Sequence, residues 1–532
     1  RPQATRKDNY HVTSQLIANY MGTFGKHNLT VMAGFENYYM KDEELTAARD
    51  KYELTGYPYL NIGSEDFQTN SGKGNEYTSN SVFGRVSYSY ADRYLFQANV
   101  RHDGSSRFAK GYRWGTFPSF SAGWVMSEEK FMKNLNWDWL SFLKLRGSWG
   151  MLGNERIGDN YFPYIALMSF GNSLFYMADG SVVSDKTARP AVLAVEDITW
   201  ETTTSTDIGL DANFFNNRLQ FHFDYYWKQT KDMLLNIEIP YFMGYNNPST
   251  NAGKMSTHGY DIELAWNDRI GDFKYGVNVN FSDFLSKIDY MNDGEQISGG
   301  KIKRAGVLFN EYYGYVCDGI YQTQEEVNNS ARTSTTVTVG DLKYRDISGP
   351  DGVPDGIISP EYDRVPLGNS LPHFQYGGTF NASYKGIDFS IAFQGIGKQN
   401  SYLSTAMVQP LRDNFGNVPS ILEGKYWSPF NTAEENLSAK YPRLSNVSKN
   451  NNYATSSFWM FNGSYFRLKN LTLGYTLPET WTQKAGINRV RFYVSGSDLF
   501  CLSNFPDGWD PEMSYKAYPI TTSLVMGLQV NF

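Results

Sequence analysis

The sequence predicts an all-β protein, a transmembrane antiparallel β-barrel of about fifteen strands with long extracellular loops. Four observations predict it. Apolar and polar residues alternate with period two in segment after segment of the 532 residues. Aromatics reach 16%, with 39 Tyr and 35 Phe, while hydrophobic residues in all are only 41%. No run of about 18 apolar residues occurs, which excludes membrane-crossing helices. Short and long connections alternate between the periodic segments. A barrel needs apolar side chains only at every second position and carries aromatic girdles at both rims.

The C-terminal segment shows the alternation most cleanly. Ile520, Thr522, Leu524, Met526, Leu528, Val530 and Phe532 point one way, and Thr521, Ser523, Val525, Gly527, Gln529 and Asn531 the other. One wall is apolar and the other small and mostly polar, as lipid on one side and a wet lumen on the other require. A first strand is expected at about 12–24, with others near 29–39, 82–90, 94–103, 143–150 and 207–214. Leu219, Phe221, Phe223, Tyr225 and Trp227 alternate with Gln220, His222, Asp224, Tyr226 and Lys228. Tyr260, Ile262, Leu264 and Trp266 oppose Asp261, Glu263 and Asn267. Similar runs lie near 273–282, 374–384, 387–393 and 489–499. Charges at inward positions argue against a dry sandwich core.

Short turns are expected at Gly25–His27, Ala91–Arg93, Phe215–Asn217, Asp268–Gly271 and Lys385–Gly386, and long loops at about 41–80, 151–198, 291–370 and 401–460. Short periplasmic turns and long extracellular loops are the outer-membrane arrangement. With those loops outside, the last strand runs inward and Phe532 lies in the periplasm. About fifteen strands is an odd number, whereas single-chain bacterial barrels are even. The first strand also lacks an upstream partner, and so long an open edge would template aggregation. The chain is therefore expected to be the C-terminal part of a larger barrel, whose first strands lie outside it. Arg1-Pro2-Gln3 carries no apolar leader, so either the mature start lies upstream or the chain is a fragment.

The net charge of −7 comes without a basic stripe, which gives no reason to expect nucleic acid. Two cysteines, Cys317 and Cys501, exclude a disulfide framework and leave their own pairing open.

Several blocks resemble the SusC/RagA-type TonB-dependent outer-membrane transporters. Arg101-His102-Asp103-Gly104-Ser105-Ser106-Arg107-Phe108, Arg113 to Ser119, Gly123-Trp124 and Leu143 to Gly150 form the first of these. Gly340-Asp341-Leu342-Lys343-Tyr344 with Gly368-Asn369 forms a second, and Phe466 to Pro478 with Trp509-Asp510-Pro511-Glu512 a closing one. The resemblance implies a barrel of about 22 strands, of which this chain holds about two-thirds. It further implies an N-terminal plug outside this chain, contact with the TonB complex through that part, and a SusD-like surface lipoprotein as lid. The expected location is the outer membrane of a Gram-negative bacterium, with the lipid bilayer around the strands.

No chemistry of an enzyme is legible. The six histidines (11, 27, 102, 222, 258 and 373) show no metal-binding spacing, and no nucleophile elbow occurs. His102 and His222 read as lumen-facing or rim polar residues. The loop from Asp346 to Asp363 is acidic and glycine-rich. Asp346, Ser348, Asp351, Asp355 and Asp363 read either as oxygen ligands for Ca²⁺, which takes six to eight of them, or as residues of two Asp-Gly turns. Otherwise no cofactor is expected. The loop aromatics suit stacking on sugar rings or peptide side chains, and equally the packing of loops or a partner. Asn310, Glu311, Tyr312, Tyr313 and Tyr315 in the longest loop, with Tyr245 and Trp427, are the candidates for ligand proximity.

The leading function is active import of a bulky nutrient, an oligosaccharide or oligopeptide. A passive porin and a surface-binding barrel are the alternatives. Aromatics and amides serve sugars and peptides alike, so the cargo class stays open.

Overall fold

Nearly every period-two segment pairs with the next one along the chain, and a single antiparallel sheet of fifteen strands results. A computed structural model describes residues 2–54, 56–57, 59–158, 161–292, 294–402, 407–410, 416–506, 509–513, 518 and 520–532, with all their side chains but those of Tyr241 and Ala485. The strands are β1 Gln3–Phe24, β2 His27–Arg49, β3 Gln68–Tyr90, β4 Tyr94–Ser105, β5 Trp114–Val125, β6 Leu140–Asn154, β7 Glu201–Phe214 and β8 Leu219–Asn236. They continue with β9 Ser249–Ile270, β10 Phe273–Met291, β11 His373–Tyr384, β12 Ile387–Lys398, β13 Tyr465–Thr476, β14 Arg489–Ser503 and β15 Ser523–Asn531. Among the described residues β1 pairs only with β2, and β15 only with β14, so the sheet is open.

Register fixes the two faces. The row Lys144, Asp211, His222, Glu263, Asn280, Gly377, Gln394, Arg467 crosses eight neighbouring strands, each residue opposite the next. One residue along, the row Leu143, Ala212, Phe221, Leu264, Val279, Gly378, Phe393, Leu468 crosses the same strands. Adjacent residues of a strand face opposite ways, so a one-residue step takes the sheet from polar to apolar. Leu524, Met526 and Leu528 of β15 lie in register with Gly496, Val494 and Phe492, on the apolar side. The terminal alternation thus belongs to the same two-faced wall.

The connections sort by end. At one rim they cover 25–26, 91–93, 126–139, 215–218, 271–272, 385–386 and 477–488, and at the other 50–67, 106–113, 155–200, 237–248, 292–372, 399–464 and 504–522. Aromatic rings gather at the short-turn rim, where Trp139 stacks on Phe214 at 5.8 Å and Phe215 meets Trp266 at 6.2 Å. Amphipathic rings are at home at a membrane interface.

Two expected boundaries are corrected. The first strand covers Gln3–Phe24 rather than 12–24, and most of the loop expected at 41–80 is strand, leaving only 50–67 as connection. The cause lies in the side chains. Lys7 pairs with Glu44 at 3.2 Å and Lys73 with the same carboxylate at 3.6 Å. Both faces of this ribbon are hydrophilic, so backbone pairing continues where the apolar alternation has stopped. At about 3.3 Å per residue, a strand of 23 residues is about 75 Å long. That is far more than a bilayer needs, and the ribbon stands out beyond the long-loop rim.

Candidate functional site: the loop cap

The two longest connections, 292–372 and 399–464, fold together. A four-stranded sheet of Glu295–Ser298, Lys301–Arg304, Glu311–Tyr315 and Arg364–Asn369 rises from the rim. Beside it lies a core of Tyr315, Leu342, Tyr344, Ile358, Val408, Leu422 and Trp459, drawn from both connections. We call this unit the cap. Among its fully buried polar groups is Asp341, whose carboxylate is enclosed. It accepts hydrogen bonds from Arg443 Nε at 2.7 Å, Ser448 Oγ at 2.8 Å, Asn452 Nδ2 at 2.9 Å and the Thr338 backbone N–H at 2.9 Å. A buried charge is tolerable only when paired and fully hydrogen-bonded, and Asp341 is both. Next in sequence, Leu342 N–H donates to Asn452 Oδ1 at 2.9 Å, tying one connection to the other again.

The expected ligand residues divide. Tyr313, Tyr315 and Trp427 are buried. Tyr315 stacks on Tyr344 at 5.0 Å. Trp427 donates from Nε1 to Gln322 Oε1 at 3.3 Å and covers Gly340. Gly340 has φ +85°, and a Cβ there would lie 2.3 Å from the Trp427 ring, so two independent demands call for glycine. These three rings are occupied by the protein itself. Asn310, at φ +63°, turns the chain, and its carbonyl accepts from Ser370 Oγ at 3.0 Å. Glu311 accepts from the Leu308 N–H at 3.3 Å. Tyr312 is half-buried, 5.7 Å from the Tyr402 ring, with Lys301 Nζ 5.2 Å from its centroid. Burial raises the phenol of Tyr312, and pushes that of Tyr402 up to about 12, so both remain donors at neutral pH. Tyr245 is not in the cap; it lies in connection 237–248, half-buried, beside Asn246, whose N–H donates to Ala191 O at 2.9 Å.

In the acidic loop, Asp363 is fully buried and accepts from three backbone N–H groups, Ile347 at 2.7 Å, Ser348 at 3.2 Å and Ser359 at 2.7 Å. Asp346 accepts from Gly356 N–H at 2.6 Å and Asp355 from Ile357 N–H at 2.9 Å, while Asp351 is exposed. These are turns fastened by carboxylates. Among the described residues, no three His, Cys, Asp or Glu side chains gather into a cation-holding group.

Below the cap, the polar face of the sheet carries ion networks. Arg146 reaches Asp224 at 2.5 Å and Asp211 at 3.2 Å, and His222 Nδ1 lies 3.0 Å from Asp211. Arg467 meets Asp510 at 2.5 Å and Glu512 at 3.2 Å. His102 lies on the opposite face and stacks on Trp114 at 4.7 Å. The two cysteines are not joined, and burial pushes the Cys317 thiol up to about 11. Connection 155–200 is held at its base by fully buried Phe108 and Ile198, packed with Phe117, Ile157 and Trp200. The sequence block Arg101–Phe108 thus ends in an anchor for a loop.

A family model described as TonB dependent receptor-like, beta-barrel, matches residues 2–495. The chain belongs to this TonB-dependent receptor β-barrel family. TonB-dependent receptor P3 of Formosa agariphila is 30% identical over 564 residues, covering 98% of this chain and 52% of the relative. TonB-dependent receptor SusC of Bacteroides thetaiotaomicron is 28% identical, covering 98% and 50%. The chain spans about half the length of the curated relatives it matches. The solved RagAB peptide transporter overlays with a TM-score of 0.79 at 22% identity, covering 100% of this chain and 56% of that one, a likeness of fold. The resemblance to SusC/RagA-type proteins therefore holds, and the family is one of receptors and transporters, not enzymes.

Sequence reasoning missed Asp341, Arg443 and Asn452, which hold the cap together. Asp341 stood inside a quoted block, but nothing local marks a carboxylate whose partners lie about a hundred residues away.

Proposed function

We propose that the chain is the strand-rich part of an outer-membrane, TonB-dependent importer of a bulky nutrient, an oligosaccharide or oligopeptide. The observation that carries this reading is the polar face of the sheet, seen in the row from Lys144 to Arg467 that only Gly377 interrupts, beneath a folded cap. Such a wall offers a wet path across the bilayer, and the cap offers an outer mouth. The unpaired edges of β1 and β15 are to be closed by further strands, and the plug and the TonB contact come from the part of the longer relatives that this chain does not span.

A SusD-like surface lipoprotein acts as the lid in this reading. Support comes from the hairpin Met168–Tyr176 and Val182–Pro190, where Phe170 is 80% and Tyr176 83% exposed, and from neighbouring Phe242 at 89%. A lone two-stranded hairpin is marginal in water, and clustered exposed rings mark interaction surfaces.

The test is uptake of labelled cargo by cells carrying the full-length protein, with and without the proton gradient. Uptake is expected to stop when the gradient collapses. Uptake that persists indicates a porin, and surface binding without uptake a surface-binding barrel.

A further inference from the structure

The cap sheet has two faces of different charge. Lys301 and Lys303 stand on one face, in register with Ser298 and Gln296, and Tyr312 lies opposite Lys301 on the next strand. Arg304, Glu295 and Glu311 belong to the other face. The sheet's two carboxylates on that face are both engaged, Glu295 with Arg304 at 2.9 Å and Glu311 with the Leu308 N–H. Among the described residues neither Lys301 nor Lys303 has a carboxylate partner, and both are half-buried.

A partly desolvated ammonium without a counter-charge is unfavourable, and folded proteins rarely keep one without use. Burial alone lowers the affinity of Lys301 for its proton. Its ammonium lies over the face of Tyr312, 5.2 Å from the ring centroid, a weak partner for a cation. Tyr312 and Tyr402 carry phenols that stay protonated and can donate to an anion.

We propose that Lys301 and Lys303, with the phenols of Tyr312 and Tyr402, form a site for a carboxylate group on the cargo. This deepens the importer reading and rests on it for the identity of the bound molecule as cargo. The shared chemistry is the carboxylate, supplied either by a uronic acid unit of a glycan or by the C-terminus of a peptide. Lysine serves here as a point charge and the phenols give direction.

The test uses the full-length protein in lipid nanodiscs and two pairs of probes. One pair is tri-galacturonic acid and its methyl ester, the other a pentapeptide with a free or an amidated C-terminus. The wild type is expected to bind the free acid of one pair at least about tenfold more tightly than its blocked form, a difference of about 1.4 kcal/mol. Which pair shows the difference identifies the source. Lys301→Gln with Lys303→Gln is expected to abolish that difference while leaving the blocked probe's affinity unchanged. Lys301→Arg is expected to restore most of it, which separates loss of charge from loss of fold. Equal binding of acid and blocked forms by the wild type, or a difference that survives in the double variant, overturns the proposal. Gradient-driven uptake of a neutral cargo by cells carrying the full-length protein would leave the importer reading intact in that case.

Discussion

Replacing Asp341 with Ala is expected to unfasten the cap while leaving the barrel wall folded. The fully buried carboxylate takes hydrogen bonds from Arg443, Ser448, Asn452 and Thr338, so one substitution strands several donors at once. Breaking a buried charged network by removing one partner costs about 3–5 kcal/mol. The loss is local, because the donors all lie in the two cap connections. Hydrogen exchange in 338–344 and 443–459 is expected to accelerate roughly a hundredfold to several thousandfold, with β2, β3 and β9 unchanged. Protection in the cap equal to that of the wild type would show that Asp341 does not hold it.

The second large effect concerns the wall itself. Leu264 and Glu263 are neighbours on β9 and face opposite ways. Leu264 lies six residues from Ile270, the end of β9 at the short-turn rim. With a strand tilt near 45° this places it about 14 Å into the hydrocarbon, close to the midplane. Leu264→Arg is expected to destabilise the barrel in bilayers by about 2–4 kcal/mol, the cost of a cation at that depth on the lipid face. Glu263→Gln, one residue away on the wet face, is expected to change stability by less than about 0.5 kcal/mol. Denaturant titration in lipid vesicles reads both. A reversed order would invert the assignment of the faces.

The fold was legible where the environment is two-sided. Wherever lipid meets one face and water the other, as along Phe221–Trp227 or Leu524–Leu528, the sequence must alternate, and it does. Where both faces meet water, as around Asp42–Glu44, β-structure persists with no alternation to reveal it. The cap was less legible still. Tyr313 and Tyr315 read either as a ligand platform or as loop packing, because aromatics in loops are ambiguous, and the stacking of Tyr315 on Tyr344 is a contact that residue spacing does not mark. Asp363 read either as a cation ligand or as part of a turn for a related reason. Its three backbone donors come from residues four to sixteen positions away, and hydrogen bonds to a folded backbone leave no mark on residue spacing. Short-range period is written in sequence; long-range satisfaction of polar groups is not.

Whether one continuous wall separates lipid from a wet path is read by single spin labels at positions 260 to 266 of the full-length protein in bilayers. High oxygen accessibility is expected at 260, 262, 264 and 266, and high accessibility to a water-soluble nickel chelate at 261, 263 and 265, in strict alternation. Uniform accessibility along the segment, or oxygen maxima at the odd positions, would contradict it.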